Sequence, residues 1–287
     1  MIKNMRRRPT LGRRRCYNEN IMPNMENNTS RKLILITNDD SVDAPGIHRL
    51  AEIVRSLGDV YVVAPSHPHS GQSAAISVSA PLHISERPSQ LEGVRFFAVD
   101  GTPVDCVKLA MHAILPRRPD ALFAGINHGS NASVNIVYSG TMGAVTEGCL
   151  QGIPSVGFSL THHSLKADFS LSVAFVASIA SSIVEDGLPE GVCLNVNIPA
   201  RVMPQGIKVC RAARARWTDN YRRYLDPSGV PFFWLEGRFV NAEPAADDTD
   251  EYWLARRYVT VVPVSPGASA ADSVRSLSAR FDTSDQA

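Results

Sequence analysis

The sequence is poor in the features that mark membrane-spanning, secreted or nucleic-acid-coating proteins. No run approaches the roughly 18 consecutive apolar residues of a membrane span, so no membrane partner is expected. Five cysteines in 287 residues (Cys16, Cys106, Cys149, Cys193 and Cys210) are widely spaced, odd in number and without a CxxC pair. That excludes a disulfide framework and fits reduced thiols in a cytoplasmic protein. Charged residues make up only 20%, with 29 Lys+Arg against 28 Asp+Glu. The resulting +1 is an average over two unlike parts. Residues 1–32 hold nine basic and two acidic side chains, which leaves the rest of the chain at −6. A mildly acidic body lacks the basic face that counterion release requires, so no nucleic-acid partner is expected.

The basic leader over residues 1–30 has arginine triplets and an Asn-rich run but no apolar period, which reads as disorder. It lacks the apolar stretch of a secretory signal. Met22 and Met25 precede the first strand pattern and are plausible native starts, so the leader is expected to stand outside the fold.

From Arg31 onward, short apolar runs alternate with helical patterns. Strands are predicted over Leu33–Thr37, Asp59–Ala64, Arg95–Val99, Ala121–Ile126, Ser155–Leu160 and Cys193–Ile198. Helices are predicted over Ile47–Ser56, Val104–Leu115, Thr141–Leu150 and Phe169–Glu185. Strands that are apolar on both faces and alternate with helices indicate an α/β core, 31–199, with a mostly parallel sheet covered on both sides. After Pro199 the composition turns to Arg-, Pro- and Asp-rich loops between strands at Ile207–Ala212, Phe232–Leu235 and Tyr258–Val264, with a terminal helix at Ala271–Phe281. Residues 200–287 read as a hairpin-rich extension rather than a second core.

In an open parallel sheet, ligands bind beyond the carboxyl ends of the strands. Those ends are Thr37-Asn38-Asp39-Asp40-Ser41, Pro65-Ser66-His67-Pro68-His69-Ser70-Gly71 and Asn127-His128-Gly129-Ser130-Asn131. Adjacent carboxylates repel, and a cation beside them is the cheapest way to keep both ionised in a crevice. Carboxylate, hydroxyl and amide oxygens select a hard cation, Mg²⁺, Mn²⁺ or Ca²⁺. The competing reading is that Asp39 and Asp40 merely cap the next helix or form an Asx turn. A second element is Tyr138-Ser139-Gly140-Thr141, directly before a helix, where hydroxyls and unsatisfied N–H groups make an anion site. A plain helix cap is the alternative there. A hard cation and a phosphate nest in one crevice form a phosphomonoesterase constellation.

Seven blocks in order carry a family resemblance: ITNDDSVDAPGI at 36–47, VVAPSHPHSGQS at 62–73, DGTPVDCVKLA at 100–110, PDALFAGINHGSN at 119–131, YSGTMGAVTEG at 138–148, GIPSVGFSL at 152–160 and LNVNIP at 194–199. From about Lys32 to the C-terminus the chain resembles the SurE survival proteins, metal-dependent 5′-nucleotidases. The resemblance implies a Rossmann-like core and a C-terminal extension used in homodimer or homotetramer assembly. It also implies one divalent metal, Mg²⁺ or Mn²⁺, on Asp39, Asp40, Ser70 and Asn127, which the strand ends had already brought forward. Phosphate binding falls by the same resemblance on Ser139, Gly140 and Thr141, with Asn131 and Asn38 accompanying. The family's glycine after NDD is replaced by Ser41, and His128 occupies a variable position.

The reaction implied is hydrolysis of a nucleoside monophosphate by water activated by the metal, with Asp39 or Asp40 taking the proton. An NAD-type oxidoreductase would need GxGxxG after the first strand, which is absent. An aspartyl-phosphate enzyme would carry alternate rather than adjacent carboxylates. A binding module that has lost turnover is the non-enzyme alternative, and the complete ligand set speaks against it. His67 and His69 lack a third ligand nearby and read as site rim rather than zinc site. His162-His163 reads as a loop, and Cys106 and Cys149 as core. Trp217, Tyr221 and Tyr224, among Arg214, Arg216, Arg222 and Arg223, suggest an oligomer interface or rim before a nucleic-acid surface.

Overall fold

The computed structural model describes residues 31–164, 166–218, 221–267 and, in the tail, 273, 274, 277, 278 and 281. The leader over residues 1–30 lies outside the described residues. The first strand, β1 (Leu33–Thr37), is buried along its whole length, and its alternation divides the core in two. Ile34 and Ile36 enter one apolar cluster, Leu33 and Leu35 the other. A strand covered on both faces requires helices on both faces.

Helix α1 (Pro45–Val54) begins with proline in its first turn, where the missing N–H is no loss, and sets Ile47, Leu50, Ala51 and Val54 on the first cluster. Strand β2 (Asp59–Pro65) then runs parallel to β1. β3 (Ile84–Arg87) and β4 (Val94–Val99) extend the sheet beyond β2, with β3 as an antiparallel edge. Helix α2 (Pro103–Leu109) starts on a Thr102–Asp105 capping box and continues into one π-type turn, Ala110–Ile114. β5 (Ala121–His128) emerges on the other side of β1. Helices α3 (Asn135–Tyr138) and α4 (Gly140–Leu150) lead to β6 (Ser155–Leu160), and α5 (Val173–Asp186) leads to β7 (Cys193–Ile198). α1 and α5 supply the first cluster, α2 and α4 the second.

The C-terminal segment returns to this sheet. β8 (Ile207–Val209) and β13 (Val259–Val264) complete a nine-stranded order β3-β4-β2-β1-β5-β6-β7-β13-β8, with β13 antiparallel to β7. Between them, β9 (Ala215–Thr218) pairs with β12 (Arg238–Asn241), and β10 (Tyr221–Leu225) with β11 (Pro231–Leu235), as two antiparallel ribbons. Helix α6 (Asp250–Leu254) precedes β13.

The departures from the sequence reading have local causes. β3 is exposed throughout and so has no apolar run to announce it. The predicted strand at 207–212 stops at Val209, and the helix predicted from Phe169 begins at Val173 after a 3₁₀ turn. Of the terminal helix over Ala271–Phe281, Ser273, Val274, Leu277, Ser278 and Phe281 are helical, and the remainder lies outside the described residues. No helix among the described residues is long and apolar enough to cross a membrane.

The chain leaves β1 for β2 on one side and later enters β5 on the other. This is a topological switch point, and the crevice lies beyond the carboxyl ends of β1 and β5.

Candidate active site

Asp39 and Asp40 leave β1 at that crevice. Asp39 is 5% exposed. Its Oδ1 accepts a 2.5 Å hydrogen bond from Thr141 Oγ1 in the first turn of α4. Asp40 Oδ2 accepts from the backbone N–H of His128 at 3.1 Å, at the end of β5. The loop after β2 closes over the same point, because the N–H of His69 donates to the Asp39 carbonyl at 2.7 Å. Ser70 follows directly, and it is exposed. Asn127 sits one residue before His128 on β5, buried, with Nδ2 donating to the Gly129 carbonyl at 3.0 Å. Its amide nitrogen is thus engaged, and Oδ1 is the ligand-type atom.

The start of α4 presses directly on Asp39. A Cβ on Gly140 would lie 2.7 Å from the Asp39 Cβ, so only glycine lets the helix terminus approach. Gly143, one turn on, has the same role for the Ser70 loop, since its Cβ would lie 2.4 Å from the Ser73 carbonyl oxygen. Ser139 caps α4 by accepting from the Met142 N–H at 3.1 Å. Its own hydroxyl proton and the Gly140 N–H remain to be donated, whereas the N–H groups of Met142 and Gly143 bond to Ser139 and that of Thr141 faces Asp39.

Burial sets the electrostatics. It pushes the Asp39 carboxyl up to about 6, opposed by the Thr141 hydroxyl and reinforced by the neighbouring Asp40. Burial also raises Asp40, against the His128 N–H that favours its charged form. Two acids held side by side, each with raised affinity for a proton, form a site that a cation would relieve. The donors at hand are two carboxylates, a serine hydroxyl and an amide oxygen, which suit a hard divalent ion. Among the described residues no three His, Cys, Asp or Glu side chains converge, so a nitrogen- or sulfur-rich metal cluster is not built here. The residues present therefore fit a Mg²⁺- or Mn²⁺-type ion.

The remaining residues named from the sequence are placed as follows. Asn131 lies in the turn after β5, with Nδ2 donating to Ser159 Oγ at 2.9 Å. Asn38 is turned into its own loop, donating from Nδ2 to the Ser41 carbonyl at 2.8 Å, while its buried Oδ1 has no partner among the described residues. His69 Nδ1 pairs with Gln72 at 2.8 Å, and His162 Nε2 meets the Arg201 guanidinium. His163 packs over Gly129, where a Cβ would lie 2.5 Å from its ring nitrogen. Trp217 donates from its indole N–H to Asn135 Oδ1 at 2.9 Å, beside α3.

Several supporting residues escaped the sequence reading. Thr102 Oγ1 donates to the Ala75 carbonyl at 2.6 Å, and Asp105 Oδ1 accepts from Ser77 N–H at 3.1 Å, so the DGTPVD block anchors the segment that follows Ser70. The Thr-Pro-x-Asp capping pattern was the available signal. His128 is buried edge-on to Phe169 with its rings 5.3 Å apart, and Nδ1 donates to the Ser164 carbonyl at 3.0 Å. Its contribution to the site is a backbone N–H, which no side-chain pattern reveals.

Known proteins resemble the chain over most of its length. The family model described as Survival protein SurE matches residues 34–219. A curated 5′-nucleotidase SurE of Phocaeicola vulgatus is 45% identical over 240 residues, covering 84% of this chain and 93% of that protein. The 5′-nucleotidase SurE of Christiangramia forsetii is 46% identical over 255 residues, covering 88% and 97%. Among solved structures, the SurE protein of Aquifex aeolicus superimposes with a TM-score of 0.74 at 33% identity, covering 87% of this chain and all of that one.

Proposed function

The chain belongs to the SurE survival-protein family, and from that premise we propose that it is a 5′-nucleotidase, a hydrolase releasing phosphate from nucleoside monophosphates. The observation that carries the reading is the meeting of Asp39, Asp40 and the amino-terminal turn of α4 in one crevice, joined by the Thr141–Asp39 hydrogen bond.

Asp39, Asp40, Ser70 and Asn127 would hold one divalent cation, Mg²⁺ or Mn²⁺, which would offset charge on the phosphoryl oxygens and make water a better nucleophile near neutral pH. The chain's own groups do the rest. The Ser139 hydroxyl and the N–H groups of Gly140 and Thr141 take the phosphoryl oxygens, aided by the partial positive charge of the helix terminus. The Asn131 amide supports the phosphate from the β5 side. Asn38 closes the turn that presents the two carboxylates. Asp39 or Asp40 takes the proton of the attacking water, the role that the family resemblance implies for this pair. Catalysis on this scheme is positioning and electrostatics, with no covalent enzyme intermediate.

The working protein is a homodimer or homotetramer in the cytoplasm, assembled through residues 200–287. Every residue of the β10–β11 ribbon is exposed, including Tyr221, Phe233, Trp234 and Leu235 at 62–70%. A two-stranded ribbon is marginal on its own, and so large an apolar area calls for a cover. A second copy, with its net acidic body, suits a ribbon that also carries Arg222 and Arg223.

Phosphate release from AMP or GMP with Mn²⁺ tests the activity, with EDTA-treated protein as control. Full turnover in EDTA, or in Asp39→Asn, would refute the mechanism. Light scattering on the purified chain tests the assembly, and a monomer at micromolar concentration would refute it.

A further inference from the structure

β7 carries two asparagines, Asn195 and Asn197, wholly buried in a strand whose other residues are Cys193, Leu194, Val196 and Ile198. Burying an amide costs a few kcal/mol unless its polar atoms are paired. Here the pairs converge on one residue. Asn197 Oδ1 accepts from the Asn131 N–H at 2.8 Å, and Asn195 Nδ2 donates to the Asn131 carbonyl at 2.8 Å. Asn197 Nδ2 donates to Asn195 Oδ1 at 3.2 Å and closes the ring. Ser130 Oγ adds a longer contact to Asn197 Oδ1 at 3.5 Å. Both polar backbone groups of Asn131 are therefore held from the sheet, while its side chain rests on Ser159.

Strand register explains the arrangement. Asn127 on β5 lies opposite Ser159 on β6, Ser159 opposite Asn197 on β7, and Asn197 opposite Thr260 on β13. Paired residues share a face, so four polar side chains form a row across four strands. Leu194, Val196 and Ile198 face the α1–α5 side, which leaves Asn195 and Asn197 on the α4 side. Gly157, opposite Asn195, lies on that side too, where a Cβ would be 3.4 Å from Thr141 Cγ2. The clamp thus stands beside the helix terminus assigned to the phosphate.

We propose that Asn197, backed by Asn195, is a positioning residue for phosphate binding: it fixes the backbone of Asn131 so that the Asn131 amide and the start of α4 act on the same phosphoryl group. This rests on the reading of Asn131 as a phosphate ligand. The Asn pair of the LNVNIP block acts through Asn131 and touches neither substrate nor metal ligand in its own right.

The experiment compares Asn197→Leu, Asn197→Asp, Asn131→Ala and the Asn131→Ala/Asn197→Leu double variant as full chains with Mn²⁺. Turnover of AMP is measured, together with inhibition by inorganic phosphate. Asn197→Leu is expected to lower kcat/KM by about 10- to 100-fold and to weaken phosphate inhibition in parallel, as loss of supporting contacts does at other sites. Asn197→Asp keeps an acceptor oxygen for the Asn131 N–H but gives up the donor to Asn195 and adds a buried charge, so it should recover only part of the loss. In the Asn131→Ala background, Asn197→Leu should cost little more, because its target is already gone. Should the leucine variant fold poorly, Asn195→Ser removes the donor to the Asn131 carbonyl and is read the same way. Multiplying losses in the double variant, or a lowered Tm with unchanged phosphate inhibition, would overturn the proposal. Unchanged phosphate inhibition in Asn131→Ala would instead overturn the reading of Asn131 itself.

Discussion

Thr141 Oγ1 and Asp39 Oδ1 lie 2.5 Å apart although 102 residues separate them in sequence. The bond ties the helix terminus assigned to phosphate to a carboxylate assigned to the cation, so neither half of the site can shift without the other. It also favours the charged form of Asp39 against the burial that raises its proton affinity. Thr141→Val keeps shape and removes the hydroxyl. It should weaken Mn²⁺ binding and lower kcat by about 10- to 100-fold, the range for a lost supporting hydrogen bond at a metal. Thr141→Ser should retain most activity. A Mn²⁺ titration of turnover checks both, and equal metal affinity in the valine variant would separate the two halves of the site.

Asp39 also predicts a pH signature of the metal-free chain. Its folded value, about 6, stands above the ordinary 3.8. A group with a raised folded pKa contributes stability below its unfolded value and loses that contribution as pH rises through the folded one. The metal-free protein should therefore lose stability between about pH 4 and pH 6. Mn²⁺ should restore it above that window, where the carboxylate is charged and binds the ion. Thermal melts at pH 5 and pH 7.5, with EDTA and with Mn²⁺, measure this directly. The Mn²⁺ increment should be larger at pH 7.5, and Asp39→Asn should flatten both effects.

Much of this arrangement could be read in advance because it rests on strand ends. Apolar runs located β1, β2 and β5; Asp39 and Asp40 follow the end of β1, Asn127 lies at the end of β5 before His128, and Ser70 depends on the loop after β2. The sequence reading failed where structure depends on partners distant in the chain. β3 is a polar edge that exists because β4 offers it hydrogen bonds. β9 and β12 are ribbon partners 20 residues apart, each too short and mixed to signal itself. Asn195 and Asn197 are polar residues in a buried strand, and only the fold shows that they face Asn131.

Ser41 offers a test of local strain. It occupies φ 96°, a left-handed backbone that favours glycine, at the position where the related pattern has glycine. The turn is held by Asn38 Nδ2 on the Ser41 carbonyl. Ser41→Gly should relieve steric cost of about 1–2 kcal/mol, partly offset by the greater freedom of glycine in the unfolded chain. The expected outcome is a stabilisation of up to about 1 kcal/mol with unchanged kcat, read by denaturant titration beside the activity assay. A destabilised variant would mean that the serine hydroxyl contributes more than the strain removes.

Asp250 predicts how the C-terminal segment supports the site. It is fully buried, and its carboxylate accepts three backbone N–H bonds: Ser133 at 2.7 Å, Ala213 at 2.9 Å and Glu251 at 2.8 Å. Those donors belong to the turn after β5, the approach to β9 and the start of α6, so one side chain joins three segments. Ser133 also donates from Oγ to the Ala213 carbonyl at 2.7 Å, which doubles the link. Asp250→Ala would strand buried donors at about 1–3 kcal/mol each, a loss large enough to unfold the segment locally. Asp250→Asn keeps one acceptor oxygen and should lose less. Because Ser133 lies two residues beyond Asn131, the alanine variant should weaken phosphate inhibition as well as lower the Tm. Hydrogen exchange would locate the opening at 130–135 and 211–215, and protection unchanged there would assign the loss to α6 alone.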